Sequence, residues 1–126
     1  MNQILAIAIG GGIGSVLRHY SISILGVLTG AVFPYSTLFV NVVGSFLIGF
    51  IVELVALRWQ APSTMQLFLV TGFLGGFTTF SAFSLDIFKL AQTGHTLQAA
   101  GYAVLSVIGS FLALLAGVFI VRGVMG

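Results

Sequence analysis

Charged side chains and cysteines are what this sequence most lacks. Its 126 residues include four Lys or Arg, two Asp or Glu and no cysteine. Charged residues make up 5% of the chain, against about 25% in soluble domains, which is too few for a soluble surface. The absence of cysteine excludes disulfides and thiolate metal sites. A net charge of +2 is too small for the basic footprint of a nucleic-acid-binding protein.

Apolar side chains dominate what is present. They make up 59% of the residues, and the mean hydropathy is +1.22. These values predict an integral membrane protein. The apolar N-terminal stretch has no basic region in front of it, because the first positive side chain is Arg18. It therefore does not resemble a signal peptide, and we expect it to stay in the mature protein.

The apolar runs predict a single all-α membrane domain covering residues 1–126. A transmembrane helix needs about 20 mostly apolar residues, and four such segments fit the chain. They lie at about residues 2–28, 35–57, 64–92 and 96–121. The runs are continuous rather than alternating, which argues against a β-barrel.

The positive charges do not choose an orientation in the membrane. With four spans, Arg58 and Arg122 lie on one side, and Arg18 and Lys89 lie on or near the other. The positive-inside rule is therefore balanced at two against two. Two interpretations stay open at this point: one weakly determined orientation, or insertion both ways with pairing into an antiparallel dimer.

The third segment contains an unusual stretch, TGFLGGFTTFSAFS, at residues 71–84. Gly72 and Gly76 alone predict close helix packing. They leave the following hydroxyl side chains unexplained, and hydroxyls can satisfy backbone groups that a helix break sets free. We therefore predict a break near Gly75–Thr79 that faces a partner chain or a wet cavity. The carbonyl end of such a break suits a cation, and the N–H end suits an anion.

Several uncharged side chains are candidates to line an anion path. Phe80 and Phe83 share a helix face, and ring edges carry partial positive charge; lipid or core packing is the alternative for both. Asn41 lies inside the second segment with an amide that can donate to an anion. The fourth segment carries a polar stripe four residues apart: Tyr102, Ser106 and Ser110. Helix packing or bonding to the i−4 carbonyl is the alternative for the two serines.

The remaining residues and motifs give weaker indications of function. For Arg18, reaching the membrane interface is the alternative to a positive vestibule or a structural anchor. The run of glycines at residues 10–14 lies in an apolar span without a preceding strand, so it is not a dinucleotide loop. His19 and His95 lack a metal-ligand pattern. The sequence holds no nucleophile–base constellation, which argues against an enzyme.

Three stretches together resemble the Fluc (CrcB-type) fluoride channels: GGGIGSVLR at residues 10–18, FVNVVGSFLIG at 39–49 and TGFLGGFTTFSAFSLD at 71–86. The resemblance covers the whole chain. It implies a fluoride-selective passive channel that exports fluoride across the bacterial inner membrane. It also implies an antiparallel, dual-topology homodimer with two pores and a structural sodium ion at its centre.

The resemblance further implies roles for individual residues. It assigns the fluoride pore to Asn41, Phe80, Phe83, Tyr102, Ser106 and Ser110. Arg18 matches the family's first-helix arginine, and the carbonyls of Gly75 and Thr78 match its sodium ligands. The sequence departs from the family pattern at Asp86, where glutamate is common, and at Ala82, where threonine is common.

Two other functions compete with this one. Small multidrug exporters also have about four helices and pair antiparallel, but they use a membrane-embedded glutamate in the first helix. The first segment here has no carboxylate. A non-transporting assembly subunit held by Gly-x-x-x-Gly packing would leave the polar stripe and the Phe/Ser/Thr run unexplained.

Overall fold

The computed structural model describes residues 2–126, and that part of the chain is 86% helical without a β-strand. Its helices are α1 (Gln3–Thr29), α2 (Tyr35–Leu57), α3 (Ser63–Gln66), a π-helix (Leu67–Leu74), α4 (Gly75–Phe77), α5 (Phe80–Gln92) and α6 (Thr96–Met125). The predicted all-α membrane fold is confirmed.

Within the described residues, three stretches are long and apolar enough to cross a membrane. They are Tyr35–Leu57, Ser63–Gln92 and Thr96–Met125. Helix α1 is 27 residues long, but it carries Arg18 and His19 and is not one of the three. That α1 crosses the membrane, and hence that the chain has four membrane spans, stays a prediction.

The ends of α1 follow from its sequence. The Asn2 side chain accepts a hydrogen bond from the Ile4 N–H at 2.7 Å, which satisfies one of the free donors at a helix start. The helix ends at Gly30, whose φ of 56° is left-handed, a conformation that glycine adopts without steric cost. Pro34 then precedes α2.

Glycines bring the long helices into backbone contact. A Cβ added at Gly14 would collide with the Phe73 carbonyl, and one at Gly76 would collide with Gly11, so α1 lies directly against the third span. Gly49 and Gly117 do the same where α2 meets α6. Small residues allow this close approach in membranes, so Gly72 and Gly76 do serve helix packing.

The third span is not a regular α-helix over its whole length. It runs as a π-helix from Leu67 to Leu74, which the sequence did not predict, and π-turns often occur at functional sites. Thr78 and Thr79 are then extended, with ψ of 157° and 120°. The first half reaches Phe77 rather than about Gly75, because the Thr78 N–H still donates to the Leu74 carbonyl at 3.0 Å.

Few side chains are buried within the chain, and many large apolar side chains are exposed. The fully buried large side chains are Tyr102, Leu74, Val40 and Val121. Phe83, Leu90, Ala99 and Tyr102 form a core cluster between α5 and α6. Large apolar side chains face outward along all the long helices, as expected where lipid or another chain replaces water.

Candidate functional site

The side chain of Asn41 on α2 holds the broken backbone at two points. Its Nδ2 donates to the Thr79 carbonyl at 3.0 Å, and its Oδ1 accepts from the Thr79 N–H at 2.7 Å. The Asn41 Oδ1 thus replaces the acceptor that a continuous helix would have supplied to the Thr79 N–H, and the Nδ2 adds a bond to the carbonyl of the α5 N-cap residue. An amide nitrogen carries two N–H donors, so one donor of Asn41 remains for a ligand.

Hydroxyl side chains also bond to the backbone around the break. The Thr79 Oγ1 accepts from the Ala82 N–H at 3.1 Å and so caps α5. Thr78 Oγ1 donates to the Leu74 carbonyl at 3.0 Å, and Ser84 Oγ donates to the Phe80 carbonyl at 3.0 Å. The Thr79 hydroxyl therefore satisfies a backbone group at the break as the sequence predicted, whereas those of Thr78 and Ser84 bond back to i−4 carbonyls within their half-helices.

Arg18 reaches the same place from α1. Its Nη1 donates to the Gly76 carbonyl at 2.8 Å and lies 3.4 Å from the Thr78 carbonyl. The guanidinium is half-buried. The structure therefore places Arg18 at the helix break and does not direct it to an end of the bundle.

A cleft of about 250 Å³ opens beside the break. Its lining residues are Asn41, Ser45, Thr78, Thr79, Phe80, Phe83, Ser106, Val107 and Ser110. Five of the six predicted pore residues are among them. The sixth, Tyr102, does not line the cleft but packs against the Phe83 ring. The structure adds Ser45, which the sequence analysis missed, although its position one helical turn after Asn41 could have indicated it.

The two phenylalanines have different surroundings. Phe80 is 76% exposed, whereas Phe83 is 6% exposed. Their ring centroids are 5.5 Å apart at 58°, and Phe83 in turn lies 5.2 Å from the Tyr102 ring. Phe83 is thus fixed by the core, while Phe80 projects from the chain at the mouth of the cleft.

The polar stripe on α6 divides between two environments. Tyr102 is fully buried, and its hydroxyl donates to Asp86 Oδ2 at 3.1 Å. The buried Ser106 Oγ has no hydrogen-bond partner, although an unsatisfied buried hydroxyl costs about 1–3 kcal/mol. Ser110 is half-buried at the cleft. Both serines line the cleft, but the Ser106 Oγ itself is buried.

The carbonyls of Gly75 and Thr78, predicted as sodium ligands, are both close to the break. In a continuous helix the Thr79 N–H would donate to the Gly75 carbonyl, but here it donates to Asn41. The Thr78 carbonyl accepts from the Arg18 Nη1 at the long distance of 3.4 Å. Within residues 2–126, no group of three or more His, Cys, Asp or Glu could hold a metal ion.

The remaining acidic side chains have defined partners. Asp86 accepts the Tyr102 hydroxyl bond despite its short arm. Glu53 forms an ion pair with Arg122 at 3.0 Å near the end of α2. Neither carboxylate lines the cleft, whose lining side chains are all uncharged.

Comparison with known proteins gives a consistent family. The family model described as "CrcB-like protein, Camphor Resistance (CrcB)" matches residues 5–118. The chain is 48% identical over 119 residues to "Fluoride-specific ion channel FluC 1" of Nitrobacter hamburgensis, covering 94% of each chain. It is 47% identical over 125 residues to "Fluoride-specific ion channel FluC" of Rhizobium meliloti, covering 99% of this chain and 100% of the relative.

A third relative is equally similar. The "Fluoride-specific ion channel FluC" of Nitrobacter winogradskyi is 50% identical over 119 residues, with 94% of each chain covered. The matches extend over nearly the whole chain and include the cleft and the break. This multi-pass membrane protein of the bacterial inner membrane belongs to the CrcB-like family.

Proposed function

We propose that this chain is a passive channel that conducts fluoride selectively and relieves fluoride toxicity by export. The observation that carries the proposal is the cleft, where five predicted pore residues meet at a helix break. The relatives named as fluoride-specific channels support it. It follows that the protein is a channel and not an enzyme.

The cleft can replace water around a small anion without holding it tightly. Fluoride is strongly hydrated, so a narrow path must provide donors in place of water. The second N–H of Asn41 and the hydroxyls of Ser106 and Ser110 are such donors. The edges of Phe80 and Phe83 add weak positive potential. No full positive charge lines the cleft, which suits conduction because an ion must also leave.

We propose that two chains form the working channel as an antiparallel, dual-topology homodimer with two pores. In one chain the cleft opens at its surface and Phe80 is 76% exposed. A second copy would cover Phe80 and close the cleft into a path. Crossing by α1 as a fourth span would place both termini on one side, and the balanced positive charges permit both orientations.

We propose further that a structural sodium ion lies where the two breaks meet, held by the carbonyls of Gly75 and Thr78. The residues fit such an ion, because the Gly75 carbonyl has lost its helical donor to Asn41. The carbonyl end of a half-helix also favours a cation. One chain offers two carbonyls, so the same pair from a partner would be needed to complete the shell. Sodium would supply charge at the dimer centre and no redox or acid chemistry.

The competing functions account for fewer observations. A proton-coupled exporter needs a membrane-embedded carboxylate in its first helix, and α1 contains none. A pure assembly subunit would not need the unpartnered hydroxyl of Ser106 beside an open cleft.

The decisive experiment is ion efflux from liposomes that contain the purified protein. Vesicles loaded with potassium fluoride or potassium chloride are treated with valinomycin to balance charge, and a fluoride or chloride electrode follows the release. We expect fast loss of fluoride while chloride is retained. A well-folded protein that releases no fluoride would overturn the proposal and favour the exporter or assembly functions.

A further inference from the structure

Arg18 connects two helices that are far apart in sequence. It lies on α1, and the carbonyls that it contacts belong to Gly76 and Thr78, 58 and 60 residues later. The close glycine packing of α1 on the third span holds these elements together. The position of the guanidinium is therefore set by packing and not by a flexible side chain reaching for solvent.

The electrostatics of this contact match the charge of Arg18. Residues 63–77 wind continuously up to Phe77, and the carbonyl end of a helix carries a partial negative charge. Hydrogen bonds from a charged donor are about twice as strong as neutral ones. The guanidinium thus satisfies the Gly76 carbonyl at 2.8 Å and places positive charge beside the Thr78 carbonyl.

We propose that Arg18 is the positioning residue of the break. Within a single chain, its guanidinium supplies the positive charge that the carbonyl end of the half-helix favours. The same guanidinium competes with sodium for the Thr78 carbonyl. The competition rests on the sodium site of the proposed function. A guanidinium 3.4 Å from that oxygen and a sodium ion on the same oxygen repel each other. Arg18 therefore preserves the break before a partner or an ion arrives, and it weakens sodium binding afterwards.

Removing the charge of Arg18 has two effects of opposite sign. Without sodium, Arg18→Gln leaves the carbonyl end of the half-helix without its cation, so the protein unfolds at a lower temperature. With sodium, the variant binds the ion more tightly, because the repulsion is gone. A charge within about 4–6 Å changes the proton affinity of a titrating group by about 10- to 1000-fold, so we expect sodium affinity to rise by at least about tenfold.

The experiment measures thermal unfolding of the purified full-length protein in detergent. Sodium chloride is titrated against N-methyl-glucamine chloride at constant ionic strength, which gives the half-saturating sodium concentration for each variant. Arg58→Gln is the matched control, because the Arg58 Nε donates to the Met125 carbonyl at 2.9 Å, away from the break. Arg18→Lys keeps the charge, and its half-saturating concentration should stay within about threefold of the unaltered protein, well below the tenfold change that a lost charge brings.

The expected result is a lower unfolding temperature for Arg18→Gln than for Arg58→Gln without sodium, and a half-saturating concentration reduced by at least about tenfold. Equal sodium dependence in the two variants would overturn the proposal. Failure of Arg18→Gln to fold even at saturating sodium would also overturn it, because the ion should replace the lost charge. The readout is independent of flux, so an unaltered protein that passes no fluoride would instead refute the proposed function.

Discussion

The side-chain amide of Asn41 pairs with the backbone of Thr79 at both of its polar atoms, with distances of 3.0 Å and 2.7 Å. The two residues are 38 positions apart and lie on different helices. The pairing keeps Thr79 extended and frees the Gly75 carbonyl, and Asn41 also lines the cleft. A single side chain therefore links the stability of the break to the chemistry of the proposed path.

Asn41→Ala should reduce both stability and fluoride efflux. The substitution leaves the Thr79 N–H without its partner, which costs about 1–3 kcal/mol for an unsatisfied buried group, and it removes a donor from the cleft. Chemical unfolding and liposome efflux measure the two effects. Ser45→Ala, one turn along the same helix, is the control for stability, since its loss leaves the Thr79 pairing intact. Unchanged unfolding of Asn41→Ala would contradict the role of this pair.

Phe80→Ala and Phe83→Ala should differ in stability while both lower fluoride efflux sharply. Phe83 is buried against Tyr102, and truncating a buried phenylalanine costs about 3–5 kcal/mol. Phe80 is largely exposed within one chain, so its loss should leave the fold of the chain intact. Phe88→Ala is a suitable control, because Phe88 is an exposed α5 residue that does not line the cleft. Efflux equal to that of the control would remove both rings from the proposed pore.

Ser106→Ala should slow fluoride efflux without destabilising the protein. The Ser106 Oγ is buried and unpartnered, so removing it relieves an unsatisfied group, and replacing such a group by an apolar one is nearly neutral or stabilising. The substitution should therefore lower the rate of fluoride efflux without lowering the unfolding temperature. Ser84→Ala is the matched control, because the Ser84 hydroxyl bonds to the Phe80 carbonyl and does not line the cleft. A destabilised Ser106→Ala protein would indicate that this hydroxyl has a structural partner.

Gly44→Ala should disturb the break from the opposite side. A Cβ at Gly44 would collide with the Thr78 Cγ2 atom, and overpacking of this kind costs about 1–3 kcal/mol. The collision should displace Thr78 and lower fluoride efflux. Gly101→Ala on α6 serves as the control, since a Cβ there meets nothing within 4 Å. Normal efflux and stability in Gly44→Ala would show that α2 can shift enough to accommodate the added Cβ and would contradict this prediction.

Local sequence predicted the helices and the existence of the break. Apolar runs of spanning length determined the all-α membrane fold, because a backbone in lipid must satisfy its hydrogen bonds within a helix. The hydroxyls at residues 78–84 indicated where backbone groups would be freed. The α2 bounds agree with the structure at Tyr35–Leu57. The sequence placed the end of the first half-helix too early, because Gly75 and Gly76 suggested a break that their packing neighbours do not require.

Contacts between distant residues could not be read from the sequence. Nothing local connects Arg18 to the Gly76 carbonyl or Asn41 to Thr79, since both contacts depend on how closely α1 and α2 approach the third span. The contrast between Phe80 and Phe83 is of the same kind, because neighbours on α6 bury one ring and not the other. The sequence by itself determined that this chain is a helical membrane protein with an interrupted span, through hydrophobicity and local backbone chemistry. Only the tertiary structure decided which side chains satisfy the interruption, because helix packing sets those distances.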